Sequence, residues 1–417
     1  MWVEGLFWLG LIVSAAIGFL YFRDLGDVTQ MILKVKRQNM VRFIRHESRL
    51  LALGGVALAI MVAAHLGFGA GPAWAFWPAL VVIVVLLAFP WVWVHVGLRN
   101  QQKSARYYSV AEAAEFVNPH SRVIAIEKDG VARAHPDAQL MRPHLAGNDE
   151  GLAGENVVMT YCAMANLGIG YKPVVDGQAC ALEVLAQHGN NLILRDNRTG
   201  DPIQQIYGRT ERTDGTGQAM EPWPTFRMTF RGFAKAYPNG RVFLNKPSSN
   251  VLLRLFDLVT ETVFSAGIAK QHQEARPVMD NMTRHDPRLP NKTYVWGVDV
   301  GDDATCWTDD FVIEHDGPIN ANVGGRPVVV AWSQPFESLG VWWNDTGEPV
   351  TRIDFWGDSD RGKLARSEAL KAGLFWHVWA EFFPQTDINR VSVPAETKTA
   401  ARTGQPKTRR DTGVGDA

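Results

Sequence analysis

The chain has 417 residues, and its 42 Lys and Arg residues nearly balance its 43 Asp and Glu residues, for a net charge of -1. That balance, without a basic stripe interleaved with aromatic residues, argues against a nucleic-acid partner. The 3 cysteines, Cys162, Cys180 and Cys306, are too few and odd in number for a disulfide framework. A chain of this length has room for two or three compact units.

Three apolar runs open the chain, from Leu6 to Phe22, from Leu50 to Phe68 and from Ala73 to Val96. A transmembrane helix needs about 20 apolar residues to cross roughly 30 Å of hydrocarbon. The first run is shorter, but it lacks a basic start and a clean cleavage site, which does not favour a signal peptide. The sequence therefore predicts a membrane domain at 1–100 with three transmembrane helices, at about 6–22, 50–68 and 73–96, and the lipid bilayer as a partner.

Basic residues flank these runs on one side only. Seven lie between the first and second runs, none lies between the second and third, and three follow the third. They are Arg23, Lys34, Lys36, Arg37, Arg42, Arg45 and Arg49, then Arg99, Lys103 and Arg106. The positive-inside rule places both groups in the cytoplasm. It predicts a multi-pass protein of the cell (inner) membrane with a cytoplasmic soluble domain. The segment from Met31 to Ile44 mixes cations with apolar residues at helical spacing, so we expect it on the anionic inner surface.

Short β-type runs bounded by Gly, Asn or Asp dominate the rest of the chain. They predict an α+β, β-rich fold in which the membrane helices precede two mainly β lobes. The predicted domains are a first lobe at 107–250, a linking helix and connector at 251–290, a second lobe at 291–390 and a disordered tail at 391–417.

Turn and helix signals punctuate the two lobes. The pairs Asp129-Gly130, Asp176-Gly177 and Gly189-Asn190 tolerate the positive φ that tight hairpins need. Apolar residues at helical spacing predict a short first helix from Tyr107 to about Asn118, a helix at 251–263 and a helix at 361–383.

The second lobe resembles a degenerate repeat of the first. Residues 123–171 are echoed by residues 295–343, with Trp332 in place of Tyr161 and Ser333 in place of Cys162. A duplicated fold needs its hydrophobic pattern twice, whereas a chemical site is needed only once. The repeat therefore predicts that any site in the soluble part lies near Cys162.

Cys162 ends a predicted strand, where a thiol can act as a nucleophile if a base and an orienting group are close. His144 is the candidate base, with Asp149 or Asn148 as the orienting group. Cys162, Met164 and His144 also offer thiolate, thioether and imidazole, the soft ligands that suit copper or another transition metal. The alternative is a cysteine packed as a small hydrophobe beside a histidine held in a turn.

A second polar cluster follows along the chain and consists of Arg195, Asp196, Thr199, Gln205 and Tyr207. One interpretation is an Asp-x-x-Thr-Gly turn held by bonds from side chains to the backbone. The other is a ligand site in which Arg195 and Gln205 hold an anionic or sugar-like molecule beside Cys162. No phosphate loop, dinucleotide fingerprint, hydrolase elbow or zincin motif is present in the sequence.

Several ordered motifs resemble a bacterial and archaeal family known as domain of unknown function 3179. They are Met141 to Asp149, Val157 to Cys162, Asn191 to Asp196, Thr199-Gly200 and Gln205 to Gly208, and the similarity covers roughly 108–245 and, more weakly, the second copy. The resemblance implies a membrane-tethered or exported β-rich domain without a known activity. Many relatives have a Cys-x-x-Cys where this chain has Cys162-Ala163-Met164-Ala165, so a dithiol motif cannot operate here. Export of many relatives also makes an extracytoplasmic domain the alternative to the cytoplasmic one.

Two hypotheses about function follow from the sequence. The first is a membrane-anchored ligand-binding or assembly module that binds a small polar ligand or another membrane protein. The alternative is a membrane-bound, thiol- or metal-dependent redox enzyme centred on Cys162 and His144.

Overall fold

The computed structural model describes residues 2–26, 33, 35–98, 106–147, 151–212, 216–246, 250–279 and 281–391. Several residues of the sequence predictions therefore lie outside the described residues. They are Met31, Lys34, Arg99, Lys103, Asn148, Asp149 and all but the first residue of the predicted tail.

Three long apolar helices open the structure, as predicted. They are α1 (Trp2–Leu25), α2 (Arg37–Phe68) and α3 (Ala73–Trp91), and α3 continues as a π-helical turn at Val92–Leu98. Trp2–Leu25, Arg37–Phe68 and Ala73–Gly97 are each long and apolar enough to cross a membrane. Helix α2 begins 13 residues before the predicted span at Leu50. The helix therefore extends well beyond its apolar part.

Small residues bring α1 and α2 together. A Cβ atom added to Gly10 of α1 would lie 2.6 Å from the carbonyl oxygen of Ala57 in α2. Only glycine permits so close a backbone approach, which is a common way to pack helices in membranes. The three helices also share a buried cluster that includes Phe7, Met61 and Phe76.

The first lobe contains fifteen named strands in the described residues. They are β1 (Arg106–Ser109), β2 (Arg122–Lys128), β3 (Val131–Pro136), β4 (Leu145–Ala146), β5 (Val158–Cys162), β6 (Leu167–Lys172), β7 (Val174–Val175), β8 (Gln178–Ala179), β9 (Leu182–His188), β10 (Asn191–Asp196), β11 (Pro202–Gln204), β12 (Arg209–Thr210), β13 (Glu221–Trp223), β14 (Thr225–Thr229) and β15 (Arg241–Leu244). Its short helices are α4 (Val110–Ala113), α5 (Asp137–Leu140) and α6 (Phe230–Ala236).

A helical connector and the second lobe follow. The connector contains α7 (Val251–Val259), a π-helical turn (Thr260–Ser265) and α8 (Ala266–His272). The second lobe contains β16 (Tyr294–Val300), β17 (Asp303–Thr308), α9 (Asp309–Glu314), β18 (Ile319–Val323), β19 (Arg326–Ser333), β20 (Ser338–Trp343), β21 (Asp358–Ser359), β22 (Gly362–Lys363), β23 (Leu370–Phe375), α10 (Trp376–Phe382) and β24 (Asp387–Asn389).

The main sheets of the two lobes, one of five strands and one of four, share the order of four strands. The first has the order β14-β2-β3-β15-β1 and the second has the order β23-β16-β17-β24. In both, the first two neighbouring pairs are antiparallel and the third is parallel. A hairpin and a short helix lead in each lobe to a second hairpin, β5–β6 or β19–β20. Only the first lobe adds the sheet β12-β11-β10-β9.

The predicted turns and one predicted helix have different outcomes. All six residues of the three turn pairs have φ between 51° and 79°, so the hairpin predictions are confirmed. The helix predicted at 361–383 is wrong, because this stretch contains strands β22 and β23 before the short α10. Strand β23 is buried along its whole length against β16, and a short, mostly apolar run fits a buried strand as well as a helix.

The predicted first helix is also shorter than expected. Residues 106–109 form strand β1, and only α4 is helical. The Ser109 side chain accepts from the backbone N–H of Glu112, and the Glu112 carboxylate accepts from the backbone N–H of Ser109. This capping box begins the helix at the residue that the sequence indicates.

Candidate functional site at the centre of the domain

Cys162 packs inside the domain at the end of β5. Its side chain is 2 % exposed and belongs to an apolar cluster with Leu167 and Leu194. The thiol donates to the carbonyl oxygen of Asn190 at 3.5 Å. Cysteine in such surroundings behaves as a small hydrophobe with a weak donor, whereas reactive thiols lie in exposed, electropositive places.

His144 directly precedes β4, with a φ of 57°. Leu145 pairs with Thr160, and the His144 carbonyl oxygen accepts from the backbone N–H of Tyr161 at 2.8 Å. The Nδ1–H of His144 donates to the Tyr161 carbonyl oxygen at 3.2 Å, and burial lowers the pKa of His144 to about 4. The His144 ring is thus bonded to the backbone of Tyr161, and the Cys162 thiol to the backbone of Asn190.

Met164 lies in the four-residue loop after Cys162 and packs, partly buried, against the same apolar cluster. Among the described residues, no group of three or more His, Cys, Asp or Glu side chains is arranged to hold a metal ion. The copper site at Cys162, His144 and Met164 stays a prediction.

The loop after Cys162 is instead held by a polar network that connects the lobes. Asn166 ends this loop with a φ of 53°. Its amide oxygen accepts from the Tyr161 hydroxyl at 3.2 Å, and its amide nitrogen donates to the Gly373 carbonyl oxygen at 2.8 Å. Arg227 donates to the Asn166 carbonyl oxygen at 2.8 Å and to the Asp137 carboxylate at 2.6 Å. One network therefore joins strands β5, β14 and β23.

Burial sets the charges in this network. Arg227 is 2 % exposed, so its guanidinium depends on Asp137 for a counter-charge. Burial raises the pKa of Tyr161 well above its ordinary value, so the phenol keeps the proton that it donates to Asn166. The sequence analysis missed these residues. An arginine between Phe226 and Met228 in an apolar strand was the available signal, because such a charge needs a partner.

The second predicted cluster divides into separate roles. Asp196 accepts from the backbone N–H and the guanidinium of Arg198, both at 2.9 Å, and the Thr199 hydroxyl accepts from the backbone N–H of Asp201 at 3.2 Å. These bonds form the turn that one interpretation predicted. Arg195 points away from the turn and donates to Glu47 at 3.0 Å and to Glu183 at 2.8 Å.

Gln205 and Tyr207 lie further along the same chain segment. Gln205 is fully buried and donates to the Thr160 hydroxyl at 3.0 Å and the Leu167 carbonyl oxygen at 3.1 Å. Tyr207 is 44 % exposed, and its hydroxyl donates to the Phe382 carbonyl oxygen at 3.0 Å. The five predicted ligand-binding residues do not converge on one point, and of these five Tyr207 lines a cavity.

Two cavities meet at Tyr207 and Arg209. One, of about 470 Å³, lies between the lobes, where Lys371 pairs with Asp299. The other, of about 800 Å³, lies between the domain and the start of α2; we call it the junction cavity. Both volumes are within the range of small-molecule sites. The family-like motif Gln205 to Gly208 thus contributes a wall to each cavity through Tyr207.

The family model described as "Protein of unknown function (DUF3179)" matches residues 102–386. No curated protein and no solved structure matches the chain. The family match extends over both β lobes and the connector, and so covers more than the first lobe, where the motifs are clearest. Because it includes over half of the sequence, the chain belongs to the DUF3179 family of proteins of unknown function.

Proposed function

We propose that this protein is a membrane-anchored ligand-binding or assembly module whose β domain is held in a fixed orientation on three membrane helices. The observation that carries the proposal is the set of partners around Glu47. This carboxylate is 5 % exposed in α2 and accepts from the Tyr21 hydroxyl of α1 at 2.7 Å. It also accepts from His95, after α3, at 2.9 Å and from Arg195 of β10 at 3.0 Å. All three helical segments and the domain thus meet at one side chain.

An apolar seam surrounds this polar contact. Phe43 of α2 stacks on Tyr21 with ring centroids 5.2 Å apart. The same buried cluster includes Leu185 and Ile193 from the two strands that face the helices. Burial of apolar area contributes roughly 25 cal/mol per Å², so the seam favours a docked domain over one on a loose tether.

The length of α2 supports this arrangement. Its 32 residues extend about 48 Å at 1.5 Å per residue, which exceeds a hydrocarbon layer of roughly 30 Å. The surplus is the polar segment from Arg37 to Arg49. In this segment Arg37 bonds to Gln204 and Glu211, and Arg45 bonds to the Glu211 carbonyl oxygen. The membrane helix itself thus serves as the stalk that holds the domain.

The placement in the cell membrane remains part of the proposal. Four arginines, Arg37, Arg42, Arg45 and Arg49, precede the apolar part of α2 on the side of the domain. The positive-inside rule then favours a multi-pass protein of the inner membrane with a cytoplasmic domain. A reporter fused after Ala417 tests the orientation: cytoplasmic activity supports it, and activity outside the membrane supports the extracytoplasmic alternative.

Hydrogen exchange tests the docking. We expect slow exchange in 37–49 and in β9–β10 of the intact protein in nanodiscs. Arg195→Gln removes the guanidinium that joins β10 to Glu47 and should speed exchange in both segments, while β16–β17 stay unchanged. Asp358→Asn, which removes an exposed ion pair with Lys363 in the second lobe, is the control. Fast exchange of 37–49 in the wild type would refute a docked domain.

We also propose that the two lobes derive from one duplicated unit. The shared strand order and orientation of the two main sheets support this origin, as does the shared sequence of hairpin, short helix and hairpin. An alignment of the two halves across many relatives tests it: the halves should match each other better than either matches unrelated β-rich proteins.

A further inference from the structure

We infer that the junction cavity binds a small soluble organic anion. The cavity has a volume of about 800 Å³ and is enclosed by parts that are distant in sequence. Its walls are the start of α2, the β9–β10 turn, the family motif at Tyr207, the segment 281–283 and the end of α10. The inference rests on the docked arrangement proposed above, because the cavity exists only when α2 and the domain are together.

The charged groups of the lining leave positive charge uncompensated. The cations are Lys36, Arg37 and Arg209, and the carboxylates are Glu211 and Glu381. Arg37 pairs with Glu211. Within the described part of the chain, Lys36 and Arg209 form no ion pair. One carboxylate, Glu381, therefore faces two free cations.

Glu381 is itself committed to the backbone of a neighbouring segment. It accepts from the backbone N–H groups of Thr283 and Arg284, at 3.1 and 2.8 Å, and from the Thr283 hydroxyl at 2.6 Å. Burial lowers the pKa of His188, another lining residue, so its ring stays neutral at pH 7 and adds no charge. The cavity thus has a surplus of about one positive charge.

The start of α2 adds to this potential. Lys36, its N-cap residue, makes no side-chain bond to the helix backbone. The amino end of a 32-residue helix carries a partial positive charge from the aligned peptide dipoles. Helix end, Lys36 and Arg209 all favour a negatively charged group in the same space.

Two aromatic residues in the cavity wall favour a ligand that carries an apolar or aromatic group as well as the negative charge. The half-exposed Tyr207 ring packs edge-on against Phe382, with centroids 5.5 Å apart. Both residues line the cavity and add apolar surface beside the cations. A cavity of about 800 Å³ is much larger than a bare inorganic ion needs. A carboxylate or phosphate ester with a flat or apolar part uses both surfaces.

Distance from the bilayer argues for a soluble ligand and against a lipid headgroup. Arg37 precedes Leu50, where the apolar run begins, by 13 residues, or about 20 Å along the helix. The headgroup layer on each side of the hydrocarbon is only roughly 6 Å thick. Lipid headgroups would not reach the cavity.

Three probes of nearly equal shape test the charge preference: 4-fluorobenzoate, 4-fluorobenzyl alcohol and 4-fluorobenzylamine. Binding is measured by ¹⁹F line broadening with the full-length protein in phosphatidylcholine nanodiscs, and empty nanodiscs provide the background. We expect the benzoate to bind at least fivefold more tightly than the alcohol or the amine. Each of Arg209→Gln and Lys36→Gln should weaken benzoate binding three- to tenfold.

Arg276→Gln is the matched control, because Arg276 is 81 % exposed and does not line the cavity. Equal broadening of all three probes would overturn the inference, as would benzoate binding that both cavity variants leave unchanged. Protection of 37–49 against hydrogen exchange, measured on the same samples, separates the two proposals. A protected segment without benzoate selectivity refutes only the anion site, whereas an unprotected segment refutes the docked arrangement.

Discussion

The main sheets of the two lobes share the order and orientation of four strands but differ in the residues at matching positions. Arg227 in β14 precedes Met228, which pairs with Val123; Gly373 in β23 precedes Leu374, which pairs with Val295. A Cβ atom on Gly373 would lie 2.8 Å from Cδ of Arg227. One lobe thus supplies a buried cation, and the other supplies the space for it.

The two lobes also make different contacts at matching positions of their second hairpins. The tips of their second hairpins have the same backbone, with φ of 53° at Asn166 and 51° at Glu337. Asn166 holds Arg227 and β23, while Glu337 accepts from Thr229 at the end of β14 at 2.5 Å. The first hairpin therefore bonds to β14 and β23, and the second bonds to the end of β14. Among the described residues, the sheet β12-β11-β10-β9, which packs against the apolar helices, belongs to the first lobe.

Removal of the central cation should have the largest effect. Arg227→Met leaves Asp137 without its counter-charge and the Asn166 carbonyl oxygen without its donor. Breaking a buried pair from one side costs about 3–5 kcal/mol, so we expect a loss of that size in the free energy of unfolding. Urea denaturation followed by tryptophan fluorescence measures it. Arg231→Met is the control, since Arg231 is 57 % exposed and its pair with Glu337 should contribute under about 1 kcal/mol. Equal losses in both variants would refute a central role for Arg227.

Filling the space opposite Arg227 should have a smaller effect. Gly373→Ala places a Cβ against the arginine at a φ of 68°, where non-glycine residues are strained. We expect a cost of roughly 1–3 kcal/mol. Gly267→Ala in α8 has open space around it and should be neutral or stabilising. The double variant Arg227→Met with Gly373→Ala should cost less than the sum of the two, because the contact is shared. Additive costs would indicate that the two positions are independent.

The buried His135 of the first lobe should make the free energy of unfolding depend on pH in the acid range. Burial lowers the pKa of His135 to about 3, and the second lobe has Trp307 in the matching strand position. Below the unfolded value of about 6.5, the unfolded state binds a proton that the native histidine refuses. The contribution of the neutral histidine to the free energy of unfolding is therefore complete above about pH 6.5. It is lost as the pH falls, by about 1.4 kcal/mol per pH unit for each such histidine.

The measurement for His135 is urea denaturation at several pH values from 7 to 4.5. His135→Gln should lower the slope of the unfolding free energy against pH by the amount that corresponds to about one bound proton. His144 and His377, whose pKa values burial also lowers to about 4, should keep the remaining slope. His120→Gln, at an exposed position, is the control. An unchanged slope in His135→Gln would show that this imidazole is protonated in the native state.

Local signals explain which parts of the fold were predictable. Turns such as Asp129-Gly130 depend on the residues that form them, and the apolar helices depend on composition, so both were predicted. The helix at 361–383 failed, because only the pairing of β23 with the distant β16 makes that run a strand. The contacts of the candidate site join residues that are still further apart in the sequence. Arg227 lies 90 residues from Asp137, and Arg195 lies 148 residues from Glu47. No periodicity along the chain encodes such contacts.

Thiol reactivity gives the smallest change and tests the sequence comparison of Cys162 with Ser333. All three cysteines are buried, so the folded protein should react slowly with a maleimide or an aromatic disulfide reagent. Ser333 ends the equivalent strand β19 but is only partly buried, so Ser333→Cys should add one thiol that reacts at least tenfold faster. Cys162→Ser should leave the slow rate of thiol modification unchanged. It should also leave the metal content, measured by elemental mass spectrometry, unchanged. A fast thiol or a bound metal in the wild type that disappears in Cys162→Ser would instead restore the thiol- or metal-dependent enzyme. The chemistry would then lie in the first of the two similar hairpins, where the sequence predicts it.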